Sequence, residues 1–251
     1  MFSMTTLRLT CLLAVLVSAS CISSSKRSSS SPSKKTPPPP ALDQPSEKVF
    51  KNVQVLQGMT ARNFTEVMNS WKHDLGAECS YCHVADRASD ELKPKVSARQ
   101  MFRMTSYAND QIGLAVVTCE TCHHGKAVPD PRPAPPQIDP MLEAAKKAIP
   151  LTDEQAVKSA EEVFRNVQIL KKAPAGRFPV IMAAFSNALG VKCSFCHNEM
   201  DYATDGVNKR TARTMLRMVS GAIQQYYPEG TSPINCWQCH QGLPKPAGTP
   251  E

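Results

Sequence analysis

The stretch Cys193-Ser194-Phe195-Cys196-His197 decides how this sequence is read. Its pattern, Cys-x-x-Cys-His, occurs four times: Cys79 to His83, Cys119 to His123, Cys193 to His197 and Cys236 to His240. Two thiols with two residues between them lie on one side of a helical turn. There both add to the vinyl groups of one haem, and the His that follows reaches the iron. A single Cys-x-x-Cys also marks a zinc knuckle or a thioredoxin-like redox pair. Four copies, each with His directly after, point instead to c-type haem. Four covalent haem c groups are expected, on Cys79 and Cys82, Cys119 and Cys122, Cys193 and Cys196, and Cys236 and Cys239. His83, His123, His197 and His240 are the expected iron ligands.

Of ten cysteines, eight lie in these motifs and the other two, Cys11 and Cys21, near the start of the chain. No cysteine is left for a structural disulfide in the mature domain. Covalent haem attachment belongs on the exported side of a bacterial membrane, so an export signal is expected. Residues 1–20 read as one. Arg8 supplies the positive charge, and Leu9 to Val17 is an apolar run too short for a permanent span. Ser18, Ala19 and Ser20 then lead into Cys21 as in a lipobox, although Ser18 stands where Leu is usual. Cys21 is the expected lipidation site, holding the protein on the periplasmic side of a membrane. Residues 21–46 are rich in Ser and Pro and read as a disordered tether.

The 251 residues allow one large domain or two small ones. Aromatic residues are only 6% of the chain and Pro numbers 21, so a large all-protein core is not expected; haem supplies the apolar bulk. The formal charge of +7 reads as a solvated basic face and not as a nucleic-acid surface, which suits an exported protein poorly.

From Glu47 the sequence repeats. Val49-Phe50-Lys51-Asn52-Val53-Gln54-Val55-Leu56 matches Val163-Phe164-Arg165-Asn166-Val167-Gln168-Ile169-Leu170, an offset of 114. The offset carries the first motif onto the third without a gap, and Cys119 onto Cys236 with a slip of three. The expected organisation is a dihaem repeat over 47–128, a Pro-rich linker over 129–150, a second dihaem repeat over 151–243 and a disordered tail over 244–251. Thr60 predicts a helix over Ala61 to Leu75, ended by Gly76, with an equivalent over Ala175 to Leu189, ended by Gly190. The spacing of Ser97 and Gln100 predicts a capping box at the start of a second helix, and Thr211 starts its counterpart. Leu151 to Gln155 opens a further helix towards Phe164. The fold class is mainly α, a multihaem cytochrome c with helix, motif, helix, motif in each half.

The helices carry methionine. Met68 lies 15 residues before His83 and Met182 lies 15 before His197, so each is a candidate sixth ligand to the neighbouring iron. A thioether opposite His raises the reduction potential and closes the iron to substrate, which suits electron transfer and not catalysis. Met101 and Met104 share a helix face, as do Met215 and Met218, and one of each pair is a candidate ligand. His73 reads as a surface or propionate-contacting residue, and His124 as a propionate or solvent contact. Arg99 and Arg213 read equally as propionate partners or as part of a solvated helix face.

These segments resemble the tetrahaem cytochrome c subunit of photosynthetic reaction centres. The resemblance rests on NVQVLQGMTARNFTEVMNSW, CSYCH, SARQMFRMTSYAN and VTCETCHHG, then FPVIM, CSFCH, TARTMLRM and CWQCH. It implies a largely helical, pseudo-twofold protein with four haems in a row. Such a protein re-reduces the photo-oxidised primary electron donor with electrons from a soluble periplasmic carrier, and is often anchored by a lipidated Cys. It also implies Met68, Met101 and Met182 as sixth ligands. That family gives its fourth haem a second His from the first half, yet no His lies between His83 and His123 here. The repeat then points to Met215. The expected partners are a reaction-centre core or a membrane oxidoreductase, a soluble donor and, through the lipid, a membrane. The alternatives are a respiratory or extracellular carrier on the same scaffold and, less favoured by the Met supply, a haem enzyme with one open iron.

Overall fold

The computed structural model describes residues 42–131, 139–198, 200–229 and 234–249. Cys21, the leader and most of the tether lie outside these residues. The described chain is helical: α1 (Ser46–Val49), α2 (Ala61–Asp74), α3 (Cys79–Cys82), α4 (Lys93–Ile112), α5 (Glu120–His123), α6 (Pro140–Ala148), α7 (Asp153–Val157), α8 (Ala160–Val163), α9 (Phe178–Leu189), α10 (Val207–Tyr226) and α11 (Cys236–His240). Among the described residues β pairing is limited to isolated bridges, two of which are Pro45 with Thr60 and Ser159 with Pro174. The mainly α class is the one expected.

The ends of α2 and α9 follow from their residues. The Thr60 hydroxyl accepts from the Asn63 amide at 3.2 Å and caps α2. A 3-10 turn, Ala175–Arg177, leads into α9, which carries Pro179 in its first turn and closes on Gly190 at φ 63°. Helices α4 and α10 start earlier than the capping signals suggested. Helix α4 begins at Lys93, with Pro94 in the first turn and Ser97 already inside. Helix α10 begins at Val207, and the Thr211 hydroxyl donates back to the Val207 carbonyl at 3.2 Å. The helix expected from Leu151 to Phe164 is broken in two, because Thr152 with Gln155 and Ser159 with Glu162 each form a capping box.

The expected linker over 129–150 contains α6, which packs against α9. Asp139 accounts for it. One carboxylate oxygen accepts from the amides of Met141 and Leu142, and the other accepts from Asn187 Nδ2 of α9 at 2.8 Å. Residues 132–138, the centre of the Pro-rich stretch, lie outside the described residues.

Equivalent contacts occur at the 114-residue spacing. The Phe50 and Phe64 rings lie 5.1 Å apart, and those of Phe164 and Phe178 lie 4.9 Å apart. Asn52 and Asn166 both take left-handed backbone, at φ 59° and 60°. The long helices α4 and α10 pack together. Gln100 Nε2 donates to the Tyr226 carbonyl at 2.7 Å, and the Tyr226 hydroxyl donates to the Arg103 carbonyl at 3.0 Å. The buried hydrophobic residues among those described are Ala61, Ala108, Ala145, Ala160, Ala175, Ala183, Ala188, Ala222 and one larger side chain, Phe178. A buried methyl contributes about 0.8 kcal/mol, against about 1.5–3 for a buried Leu or Phe. Small residues let helix backbones approach closely and leave the bulky side chains half-buried around them.

Candidate haem-attachment sites

Each Cys-x-x-Cys-His lies on a single helical turn: α3, α5, the 3-10 turn Cys193–Phe195 and α11. The four His share one feature. Each places ring Nδ1 against a backbone carbonyl a few residues onward: His83 on Arg87 at 3.3 Å, His123 on Lys126 at 2.9 Å, His197 on Tyr202 at 3.2 Å and His240 on Leu243 at 2.9 Å. A carbonyl oxygen only accepts, so Nδ1 carries the proton and donates. The lone pair is therefore on Nε2. This is the tautomer of a His that binds a metal through Nε2 while its other nitrogen is held by the protein. Burial pushes the His83, His197 and His240 rings below their ordinary pKa, opposed by these carbonyl bonds, and so favours neutral imidazole. A hollow of about 430 Å³ borders Cys79, Ser80, His83, Val84, Ala85 and Arg87. The donor set and its tautomer fit a haem c iron.

Two lysines missed in the sequence steady the loops that hold these rings. Lys95 Nζ donates to the carbonyls of Arg87 and Ser89 at 2.8 and 2.7 Å. Lys209, 114 residues later, donates to Tyr202, Ala203 and Thr204. The Arg87 and Tyr202 carbonyls thus accept both from a Lys and from His83 or His197. Their signal was the exact recurrence of a Lys at the repeat offset. Arg99 and Arg213 are buried and serve the same loops. Arg99 pairs with Asp90 at 2.9 Å and donates to the Asn52 carbonyl at 3.2 Å; Arg213 does the same with Asp205 and Asn166. A solvated helix face is therefore corrected to an internal clamp.

The motifs pack in a definite order. Beside the first motif, the Asp74 carbonyl accepts from the amide of Gly125, just after the second. Beside the third, the Ala188 carbonyl accepts from Gly242, just after the fourth. A β-carbon at Gly76 or Gly190 would collide with the carbonyl of Gly125 or Gly242, and both glycines are left-handed. The second and fourth motifs meet, with α5 against α11. His124 Nε2 donates to the Gln238 carbonyl at 3.0 Å, which corrects the propionate or solvent contact expected of it. His73 is on the surface, its side chain 89% exposed. The order along the molecule is first, second, fourth, third.

One pairing was not expected. Cys122 and Cys239 lie side by side, with Cα atoms 4.4 Å apart, whereas the sequence left no cysteine for a disulfide. The reason is the contact of α5 with α11, which brings the second cysteines of two motifs together. A disulfide between them and two thioethers at the same sulfurs are alternatives. Burial pushes the Cys119 thiol up to about 11, with the Asp74 carboxylate adding to the effect, so it stays protonated. Among the described residues no three or more His, Cys, Asp and Glu are grouped as for a zinc site.

Met68 and Met182 lie half-buried on α2 and α9, and Met101 and Met215 half-buried on α4 and α10. The Met101 sulfur accepts a hydrogen bond from the Tyr227 hydroxyl at 3.6 Å.

Comparison with known proteins agrees with this arrangement. The family described as photosynthetic reaction centre cytochrome C subunit matches residues 13–134 and 136–249. The photosynthetic reaction center cytochrome c subunit of Rubrivivax gelatinosus is 30% identical over 250 residues, covering 80% of this chain and 68% of the relative. That of Thermochromatium tepidum is 29% identical over 247 residues, covering 80% and 61%. Cytochrome c-554 of Chloroflexus aurantiacus is 26% identical over 285 residues, covering 76% and 68%. The chain thus spans between 61% and 68% of the length of these relatives. With a helical scaffold and a match running through both halves, the chain belongs to the photosynthetic reaction centre cytochrome c subunit family, electron-transfer cytochromes with covalently bound haem c.

Proposed function

We propose that this protein is a tetrahaem electron carrier that re-reduces the photo-oxidised primary donor of a reaction centre, drawing on a soluble periplasmic carrier. The observation that carries this reading is the set of four motif His with protonated Nδ1, in an unbroken row of motifs. Haem c, when bound, supplies reversible one-electron oxidation and reduction. The chain does the rest. Cys79, Cys82, Cys119, Cys122, Cys193, Cys196, Cys236 and Cys239 hold the groups covalently, so Cys122 and Cys239 form thioethers in the loaded protein. His83, His123, His197 and His240 offer Nε2 to iron, each ring locked by its carbonyl. Met68, Met101, Met182 and Met215 would supply the further iron ligands and keep substrate away, so the protein is not an enzyme. Lipidated Cys21 anchors it on the periplasmic side of the membrane. Among the described residues no helix is long and apolar enough to cross one.

The test is flash-induced haem absorbance in native membranes. Rapid haem oxidation after the flash, lost when the protein is deleted, is expected. A cytochrome reduced by respiratory substrates and silent to light would replace this role with that of a respiratory carrier on the same scaffold.

A further inference from the structure

The geometry points to Tyr227 as a positioning residue that sets the reduction potential at Met101 apart from that at Met215. The proposal rests on the reading of Met101 as an iron ligand. Tyr227 follows α10, in the second half of the chain, yet its hydroxyl reaches Met101 Sδ on α4, in the first. Oxygen and sulfur are 3.6 Å apart, an ordinary length when sulfur accepts. A thioether sulfur has two lone pairs, so it can donate one to iron and still accept from the phenol with the other. A hydrogen bond to the ligand withdraws electron density from sulfur. The weakened donor stabilises ferric iron less than ferrous, and the potential rises.

Tyr227 is half-buried, and its phenol is the O–H donor to the sulfur. Neighbouring contacts fix its place. Tyr226 is tied to α4 twice, by Gln100 and by the Arg103 carbonyl, so the adjoining residue cannot slide along that helix. The Tyr107 and Tyr226 rings, 6.2 Å apart, add an edge contact at the same crossing. The repeat makes the consequence asymmetric. The position 114 residues before Tyr227 is Gly113, which has no side chain to donate towards Met215. Met101 thus has a hydroxyl donor that the repeat does not supply to Met215.

The experiment is a spectroelectrochemical titration of the full-length holoprotein. For Tyr227→Phe, the midpoint of one haem falls while the other three hold, and the ferric sulfur-to-iron charge-transfer band keeps its intensity. Tyr226→Phe, which keeps the Gln100 tie to its backbone carbonyl, leaves all four midpoints in place. Met101→His reports on the underlying ligation: the charge-transfer band loses the share of one haem, and one midpoint falls. If Met101→His behaves so but Tyr227→Phe moves no midpoint, Tyr227 is a packing contact alone and the inference fails while the ligation stands. If Met101→His leaves band and midpoints unchanged, the ligation reading fails and takes the inference with it.

Discussion

Asp205 accepts from two residues that come from different stretches of the chain. Arg213 Nη1 reaches it at 2.9 Å, and Asn166 Nδ2 at 2.8 Å; Lys209 Nζ lies 3.6 Å away. The Arg213 bond, aided by Asn166 and opposed by partial desolvation, holds its carboxyl down at about 2. Asp90, with Arg99, Asn52 and Lys95, is also held far below the ordinary carboxylate value. The folded pKa lies below the unfolded value of about 3.9. These groups therefore stabilise the fold fully above that value, and their contribution is lost as pH falls through the folded pKa. Asp205→Asn should be less stable than the wild type at pH 7 and should lose less further stability between about pH 4 and 2, the window set by those two values. Denaturant midpoints across that range check it, and parallel curves for the two proteins would reject it. At this scale the sequence named the four motif His that the structure sets against backbone carbonyls. The orienting carbonyls stayed hidden, because the loop from His to carbonyl differs between the motifs. It is four residues at His83, three at His123 and His240, and five at His197.

Helix ends separate two kinds of capping signal. Thr60 uses its hydroxyl as a cap, while Ser97 lies inside α4. Thr60→Ala should then cost about 1 kcal/mol, the usual value of a lost cap. Ser97→Ala should stay within about 0.5 kcal/mol of wild type. Thermal or denaturant unfolding of the two variants side by side is the measurement, and equal losses would mean that Ser97 also caps a helix. The capping-box spacing misled because it measures local chemistry alone. Pro94 is tolerated in a first turn, and the helix extends back to bring Lys95 over the loop carbonyls. Helix α6 was equally hidden among prolines. Its cap, Asp139, is a local signal, but its attachment to Asn187 joins residues 48 apart. Helices α2 and α9 were legible because Thr60, Gly76 and Gly190 mark their ends with residues whose chemistry is local.

Over the whole molecule, the two halves meet through α4 with α10 and through the second and fourth motifs, where α5 and α11 touch. The contact of α5 with α11 was not legible, since nothing in the spacing of two motifs 117 residues apart says which of their faces meet. It also sets a choice between one disulfide and two thioethers at Cys122 and Cys239. In the mature protein, peptide mass mapping should find haem on the peptides of all four motifs and no Cys122–Cys239 cross-link. A cross-linked pair with haem on only the first and third motifs would reduce the carrier to two groups and break the row. The core carries its own consequence. Among the described residues its largest fully buried side chain is Ser46, and its buried hydrophobic residues are nearly all alanine. Polypeptide of that kind holds itself together weakly until something bulky is bolted to it. In the proposed tetrahaem protein, maturation and folding are then one event, and cellular proteases remove chains that miss it. The accumulation of this cytochrome would then depend on the cell's supply of haem.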